Sequence, residues 1–337
     1  MFQLYKILFF NSMIIGTIIA ISSYSWLGMW MGLEINLLSI IPLMNSSKNM
    51  FSSEASLKYF ITQTLASLVL LLSITLMMIT NEFISPLMNS TLVIMLNSAL
   101  LTKLGAAPFH FWFIEVMEGL NWMNCTILLT WQKIAPMILL MNNKIQANFM
   151  LFIILASLMI STIMSMNQVS LRKIMAFSSI NHIAWMISAI LSASSIWMWY
   201  LVIYLIITIN ITWIFNYSKL FFINQMPTFI NQNKMIKFSM MINFLSLGGL
   251  PPFLGFLPKW FTINWMILNN YLLISIILII GTLVLLFVYI RIIMTSLIMS
   301  YSEPKLIPTK MNQPLTFLIN FLTLFSLISC TLLANSF

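Results

Sequence analysis

Aspartate is absent from this 337-residue chain, and charged residues of every kind make up only 6% of it. The lack of aspartate removes its usual catalytic roles, and so little charge leaves too little polar surface to cover a soluble globule. Cysteine is nearly absent too: Cys125 and Cys330 fall in or beside apolar runs, without metal-ligand spacing or a disulfide framework, and read as small apolar fillers. There is no glycine-rich dinucleotide loop, no phosphate-binding loop and no metal-type histidine pair. Any redox chemistry the chain serves has its centres elsewhere.

What is present is hydrophobic. Apolar residues make up 61% of the chain and the mean hydropathy is +1.01, the composition of a polytopic membrane protein. Charge-free runs such as Tyr59 to Asn81, Ile145 to Leu171 and Trp260 to Ile290 are long enough to span a bilayer. Divided into lengths of about 20 residues, the sequence predicts eleven helices, centred near Ile15, Ile35, Leu68, Leu96, Leu129, Ala156, Met186, Leu205, Leu245, Leu278 and Phe325. The run opened by Lys6 has spanning length and no clear small-residue cleavage site, so it reads as the first helix and not as a cleaved signal.

The net charge of +9 does not form a nucleic-acid patch, because the basic residues are scattered between spans. With eleven helices, Lys6, Lys48, Lys58, Arg172, Lys173, Lys219, Lys234, Lys237, Arg291, Lys305 and Lys310 fall on one face, and only Lys144 on the other. Positive charge gathers on the cytoplasmic or matrix side. The N terminus is expected there and the C terminus opposite.

Two segments repeat a pattern. Gly105-Ala106-Ala107-Pro108-Phe109 and Gly249-Leu250-Pro251-Pro252-Phe253 both read G-x-x-P-F, and each interrupts an apolar run in the fourth or the ninth predicted span. One such segment alone is a proline kink or a helix end. Two at equivalent positions predict paired discontinuous helices, the device by which inverted-repeat transporters build sites near the midplane. The expected fold is therefore an all-α polytopic membrane protein with two inverted five-helix repeats. These cover residues 1–144, broken near 103–109, and 145–299, broken near 248–259, with a loop and C-terminal helix over 300–337.

Charges inside spans stand out against this background. Lys103, Lys133, Lys259 and Glu34 lie within apolar runs, where a charged side chain costs about 2.5–3.5 kcal/mol even on a lenient scale. Desolvation favours the neutral form of an amine, so such lysines are candidates to load and unload protons. Unwound carbonyls at the first break are expected to stabilise Lys103. Glu34 and Lys103 are candidates for a tunable pair, the alternative being a static bridge between helices. Lys133 and, more strongly, Lys259 have the alternative of snorkelling to an interface. His182, in Ser178-Ser179-Ile180-Asn181-His182, is a candidate relay or a hydrogen-bonded core residue; His110, Glu115 and Glu118 are placed at the membrane edge.

These residues carry a resemblance. Trp30-Met31-Gly32-Leu33-Glu34-Ile35-Asn36, the segment Lys103 to Trp112, Trp131-Gln132-Lys133-Ile134-Ala135-Pro136, the segment Ser178 to His182, and Leu247 to Phe253 resemble the antiporter-like membrane subunits of respiratory complex I, the NADH:ubiquinone oxidoreductase. The resemblance spans nearly the whole chain. It implies proton translocation coupled to electron transfer from NADH to ubiquinone, with Glu34, Lys103, Lys133, His182 and Lys259 forming a hydrophilic axis. It also implies that the chain binds no cofactor or metal itself, while NADH, FMN, iron-sulfur clusters and ubiquinone belong to the parent complex. The implied partners are other membrane-arm subunits, including sister antiporter-like chains, and lipids, with no nucleic acid and no homo-oligomer. The implied location is the mitochondrial inner membrane, multi-pass, N terminus in the matrix and C terminus in the intermembrane space. Twenty-nine methionines and only two arginines look like an AT-rich mitochondrial genome, as in insects. Two other readings stand beside this one: a stand-alone cation/proton antiporter of the same fold, and a structural scaffold. A lone intramembrane acid argues against a sodium site, since hard cations take several oxygen ligands.

Overall fold

The computed structural model describes residues 4–46, 49–83, 88–143, 145–226 and 234–298. The predicted last helix near Phe325, the 300–337 segment, and Lys48, Lys144 and Cys330 lie outside the described residues. Within them the chain is helical throughout, and eight helical stretches, one of them the interrupted Trp122–Asn142, are long and apolar enough to cross a membrane. The other ten predicted centres all fall in helices.

The chain divides into two compact units, Met1–Ile153 and Ile154–Phe337. The first contains α1 (Leu4–Ser22), α2 (Trp26–Met44), α3 (Met50–Phe83), α4 (Met88–Leu104), α5 (Phe111–Gly119), α6 (Trp122–Leu129) and α7 (Trp131–Asn142). Ser25 caps α2 by accepting from the Gly28 amide at 3.2 Å, which satisfies one of the donors a helix start leaves open. The α1–α2 hairpin is the tightest packing in the unit. A Cβ on Gly32 would lie 2.4 Å from the Ala20 nitrogen, and such close approach by small residues is how helices associate where lipid offers no hydrophobic driving force. The chain then runs α3 against α4 and α5, and α4 against α7.

Helix α8 (Ala147–Ser165) spans the division. The second unit continues with α9 (Leu171–Ser192), α10 (Ser194–Ser218), a short 3-10 turn (Ile223–Gln225), α11 (Lys234–Gly248), α12 (Phe256–Leu268) and α13 (Leu272–Ile298). Its core is α9, 94% buried along its span and packed by α10, α12 and α13. Lys219 ends α10 in a left-handed conformation, φ 51°. Arg291 on α13 donates to the Met166 carbonyl at 2.6 Å and the Gln168 carbonyl at 3.3 Å, closing the open end of α8.

Both G-x-x-P-F segments interrupt helix, between α4 and α5 and between α11 and α12. Gly105 and Gly249 leave their helices at φ 74° and 77°, a region that L side chains enter only with strain. The fifth predicted span is also interrupted. Helices α6 and α7 meet at Thr130, φ −111° and ψ −74°, three residues before Lys133.

Candidate functional site

The three intramembrane lysines are buried, Lys103 at 7%, Lys133 at 2% and Lys259 at 5% exposure. Each adjoins an interruption: Lys103 in the last turn of α4, Lys133 in the first turn of α7 and Lys259 in the first turn of α12. None snorkels. The first unit holds Glu34, Lys103 and Lys133, and the second holds His182 and Lys259.

Side chains on a helix lean toward its N terminus, so Lys259 reaches back to the break that precedes it. Its ammonium donates to the carbonyls of Leu247 at 3.2 Å and Gly248 at 2.9 Å. These belong to the last turn of α11, whose carbonyls have no following turn to bond and carry the negative end of the helix dipole. The Trp185 ring lies 5.8 Å from the ammonium, within cation–π range. A Cβ on Gly249 would stand 2.7 Å from the Lys259 nitrogen. Glycine at this position serves both the turn and the lysine.

Lys103 is held differently. It sits before its break and leans back along α4, away from the opened carbonyls. The Thr102 carbonyl at that opened end accepts instead from the Trp112 indole N–H at 3.0 Å. Among the described residues Lys103 has no hydrogen bond and no direct ion pair. Glu34 on α2 acts on it through space, and one Glu34 oxygen, Oε1, is buried without a hydrogen-bond partner. Carbonyl stabilisation, expected at Lys103, belongs to Lys259, and the lean of the side chains is the reason.

Lys133 lies over the Phe113 ring at 6.0 Å. Beside it, Asn36 and Gln132 exchange two amide hydrogen bonds: Asn36 Nδ2 donates to Gln132 Oε1 at 3.0 Å, and Gln132 Nε2 donates to Asn36 Oδ1 at 2.8 Å. The Tyr59 hydroxyl donates to Gln132 Oε1 at 3.4 Å. This uncharged clasp ties the Glu34-bearing helix to the Lys133-bearing one. Sequence reasoning passed over it, although an amide stands one or two residues from each charge.

His182 on α9 is 5% exposed. Its Nδ1 lies 2.9 Å from the Tyr200 hydroxyl, and the Tyr204 ring is 5.0 Å away. The hydroxyls of Ser178 and Ser179 donate to their own helix at Met175 and Ala176, 2.8 and 2.7 Å. His110 is buried, 2% exposed, against Phe111. Chemically, the arrangement places cations in a low-dielectric interior and holds them by dipoles and through-space charge. Among the described residues no carboxylate is in direct contact with Lys103 or Lys259.

Comparison with known proteins gives the family and the fold. The family described as NADH:quinone oxidoreductase/Mrp antiporter, TM, matches residues 23–286. NADH-ubiquinone oxidoreductase chain 2 of Anopheles gambiae is 49% identical over 297 residues, 88% of this chain and 87% of that one. The chain of the same name from Aedes aegypti is 48% identical over 331 residues, 97% of each. In fold, a chain of respiratory complex I from Thermus thermophilus, solved with bound aureothin, matches with a TM-score of 0.84 at 18% identity, covering 98% of this chain and 77% of that chain. A chain of the Mrp complex from Dietzia sp. matches at 0.77 and 15% identity, covering 83% of this chain and 58% of the other. The chain belongs to the NADH:quinone oxidoreductase/Mrp antiporter family of membrane proteins, among the relatives named NADH-ubiquinone oxidoreductase chain 2.

Proposed function

We propose that this chain is a proton-translocating membrane-arm subunit of respiratory complex I, working in the mitochondrial inner membrane with its N terminus toward the matrix. The observation that carries the reading is the placement of Lys103 and Lys259, each buried at a helix interruption with no carboxylate of the described residues in contact. A purely structural cation in lipid is best served by a close ion pair; these two are held in a way that leaves their charge changeable.

In this reading a signal from electron transfer in other subunits alters the field between Glu34 and Lys103, and protons redistribute in turn over Lys133, His182 and Lys259. Tyr200 fixes the orientation of the His182 ring through the Nδ1 contact. The two interrupted helices belong to inverted five-helix repeats, 1–144 and 145–299, with a further helix in 300–337. NADH, FMN, iron-sulfur clusters and ubiquinone are bound by the rest of the complex, and sister antiporter-like chains flank this one.

The test is Lys103→Ala, with assembled complex and proton pumping measured in the same membranes. Assembly is expected to persist while turnover and pumping fall. Full pumping at wild-type turnover contradicts the mechanism. Lost assembly with normal pumping per assembled complex points to a scaffold, and ion transport by the isolated chain without NADH points to a free-standing antiporter.

A further inference from the structure

Beside the first interruption, between α3, α4 and α5, lies an open groove of about 470 Å³. Its walls are apolar: Leu65, Ala66, Val69, Ala99, Phe109 and Phe111 contribute most of them. Leu65 is 58% exposed and Phe111 67%, so the groove opens outward from the unit. The residues lining it on α3 follow one face: Thr62, then Leu65 and Ala66, then Val69.

That face continues upward into charge. One turn before Thr62 stands Lys58, and one turn before that Glu54. On α5, Glu115 follows Phe111 and Trp112 by four and three residues, again on the same face. Lys58 bonds Glu54 Oε1 at 2.9 Å and Glu115 Oε2 at 2.9 Å. All three side chains are substantially exposed, at 43%, 61% and 56%. The groove is thus headed by one ammonium already shared between two carboxylates, a net charge of minus one, with the second oxygen of each carboxylate free to accept.

We propose that this groove is a binding site for a phospholipid with a primary-amine headgroup, the ethanolamine type, its acyl chain lying along Thr62 to Val69 and its ammonium on Glu54 and Glu115. The charge balance selects the headgroup. An anionic lipid meets a net negative cluster whose lysine is already engaged. A quaternary choline brings positive charge but no N–H to donate, whereas a primary ammonium donates to both carboxylates in charge-assisted bonds. The apolar length matches the cluster's position: the seven steps from Thr62 to Val69 span about 10 Å at 1.5 Å per residue, enough for the upper half of an acyl chain. A bound chain there also covers Thr102 and Phe109, shielding the first interruption next to Lys103 from exchange with the surrounding membrane. The site does not depend on the transport reading, since it rests on the groove and its charged head alone.

The experiment uses the whole complex, purified and incorporated into vesicles of phosphatidylcholine carrying a trace of either phosphatidylethanolamine or phosphatidylcholine with a photoreactive acyl chain. Crosslinked peptides are mapped by mass spectrometry. The ethanolamine probe is expected to label α3 and α4 in this groove about fivefold more than the choline probe, the factor that one charge-assisted bond at an exposed site supplies. In the wild-type complex, unlabelled phosphatidylethanolamine is expected to compete and cardiolipin not to. Glu54→Gln with Glu115→Gln should bring the two probes to equal labelling, and Ala66→Trp should abolish both. Equal labelling of the wild type by the two probes, stronger competition by cardiolipin, or a helix of a neighbouring subunit found seated in the groove overturns the proposal. Because the wild-type competition needs no variant, the test stands even where a substitution prevents assembly.

Discussion

At the first interruption the lysine precedes its glycine and leans back into α4; at the second it follows the prolines and returns to the carbonyls of α11. The two segments share G-x-x-P-F, a glycine at positive φ and a buried lysine, yet the ammonium at one is bound by a helix end and at the other is reached only through space by Glu34. What differs is which side of the break the lysine stands on. Since side chains lean N-terminally, order along the chain decides whether a broken helix end serves as a cation cradle. The same backbone device leaves one ammonium bonded to a helix end and the other, among the described residues, without a hydrogen bond.

Substitution at the glycines should break the comparison most strongly. Gly249→Val adds a Cβ where the Lys259 nitrogen stands at 2.7 Å, whereas a Cβ at Gly105 meets the Phe113 side chain at 3.0 Å. Both variants carry the positive-φ cost of about 1–2 kcal/mol, but only the first also dislodges the ammonium from its carbonyls. Assembled complex, read on native gels, is expected to fall severely for Gly249→Val and less for Gly105→Val. Equal loss would show that the lysine contact adds nothing to the backbone requirement.

The clasp between α2 and α7 sharpens the comparison from the first unit's side. Gln132→Leu leaves the Asn36 amide buried and unpaired, at a cost of about 1–3 kcal/mol, and thermal inactivation of the solubilised complex should shift accordingly. Adding Asn36→Leu should recover much of the loss, because replacing both partners removes the unsatisfied group. If the double variant is as unstable as the sum of the singles, the clasp is not the unit described here.

Lys58 offers the weakest contrast, a lysine with two acids in direct contact and no break beside it. Because all three side chains are substantially exposed, solvent screens these pairs and they contribute little to stability. Lys58→Met should leave NADH-driven pumping unchanged and alter stability slightly, an effect that fades with added salt.

How far the sequence carried these conclusions follows from what each signal depends on. Spans were legible because lipid demands long apolar runs, and ten centres from Ile15 to Leu278 fall in helices. The paired interruptions were legible because glycine and proline write their own backbone. Burial of Lys103, Lys133 and Lys259 followed from the charge-free runs around them. What was hidden was direction and long-range pairing. Nothing local said that Lys259, and not Lys103, would find the carbonyls, or that Asn36 would meet Gln132, 96 positions away. The break at Thr130 carries no glycine and its nearest proline, Pro136, lies six residues on, so the fifth span read as continuous.

The most direct measurement is the number of protons moved per NADH oxidised by complexes bearing Lys259→Met in sealed vesicles. The substitution keeps an unbranched side chain as far as Cε and removes the ammonium that sits on the Leu247 and Gly248 carbonyls. The account predicts assembled complexes with a reduced proton-to-electron ratio. A normal ratio at normal turnover would contradict it, and would leave the ammonium at the second interruption as a fastening and nothing more.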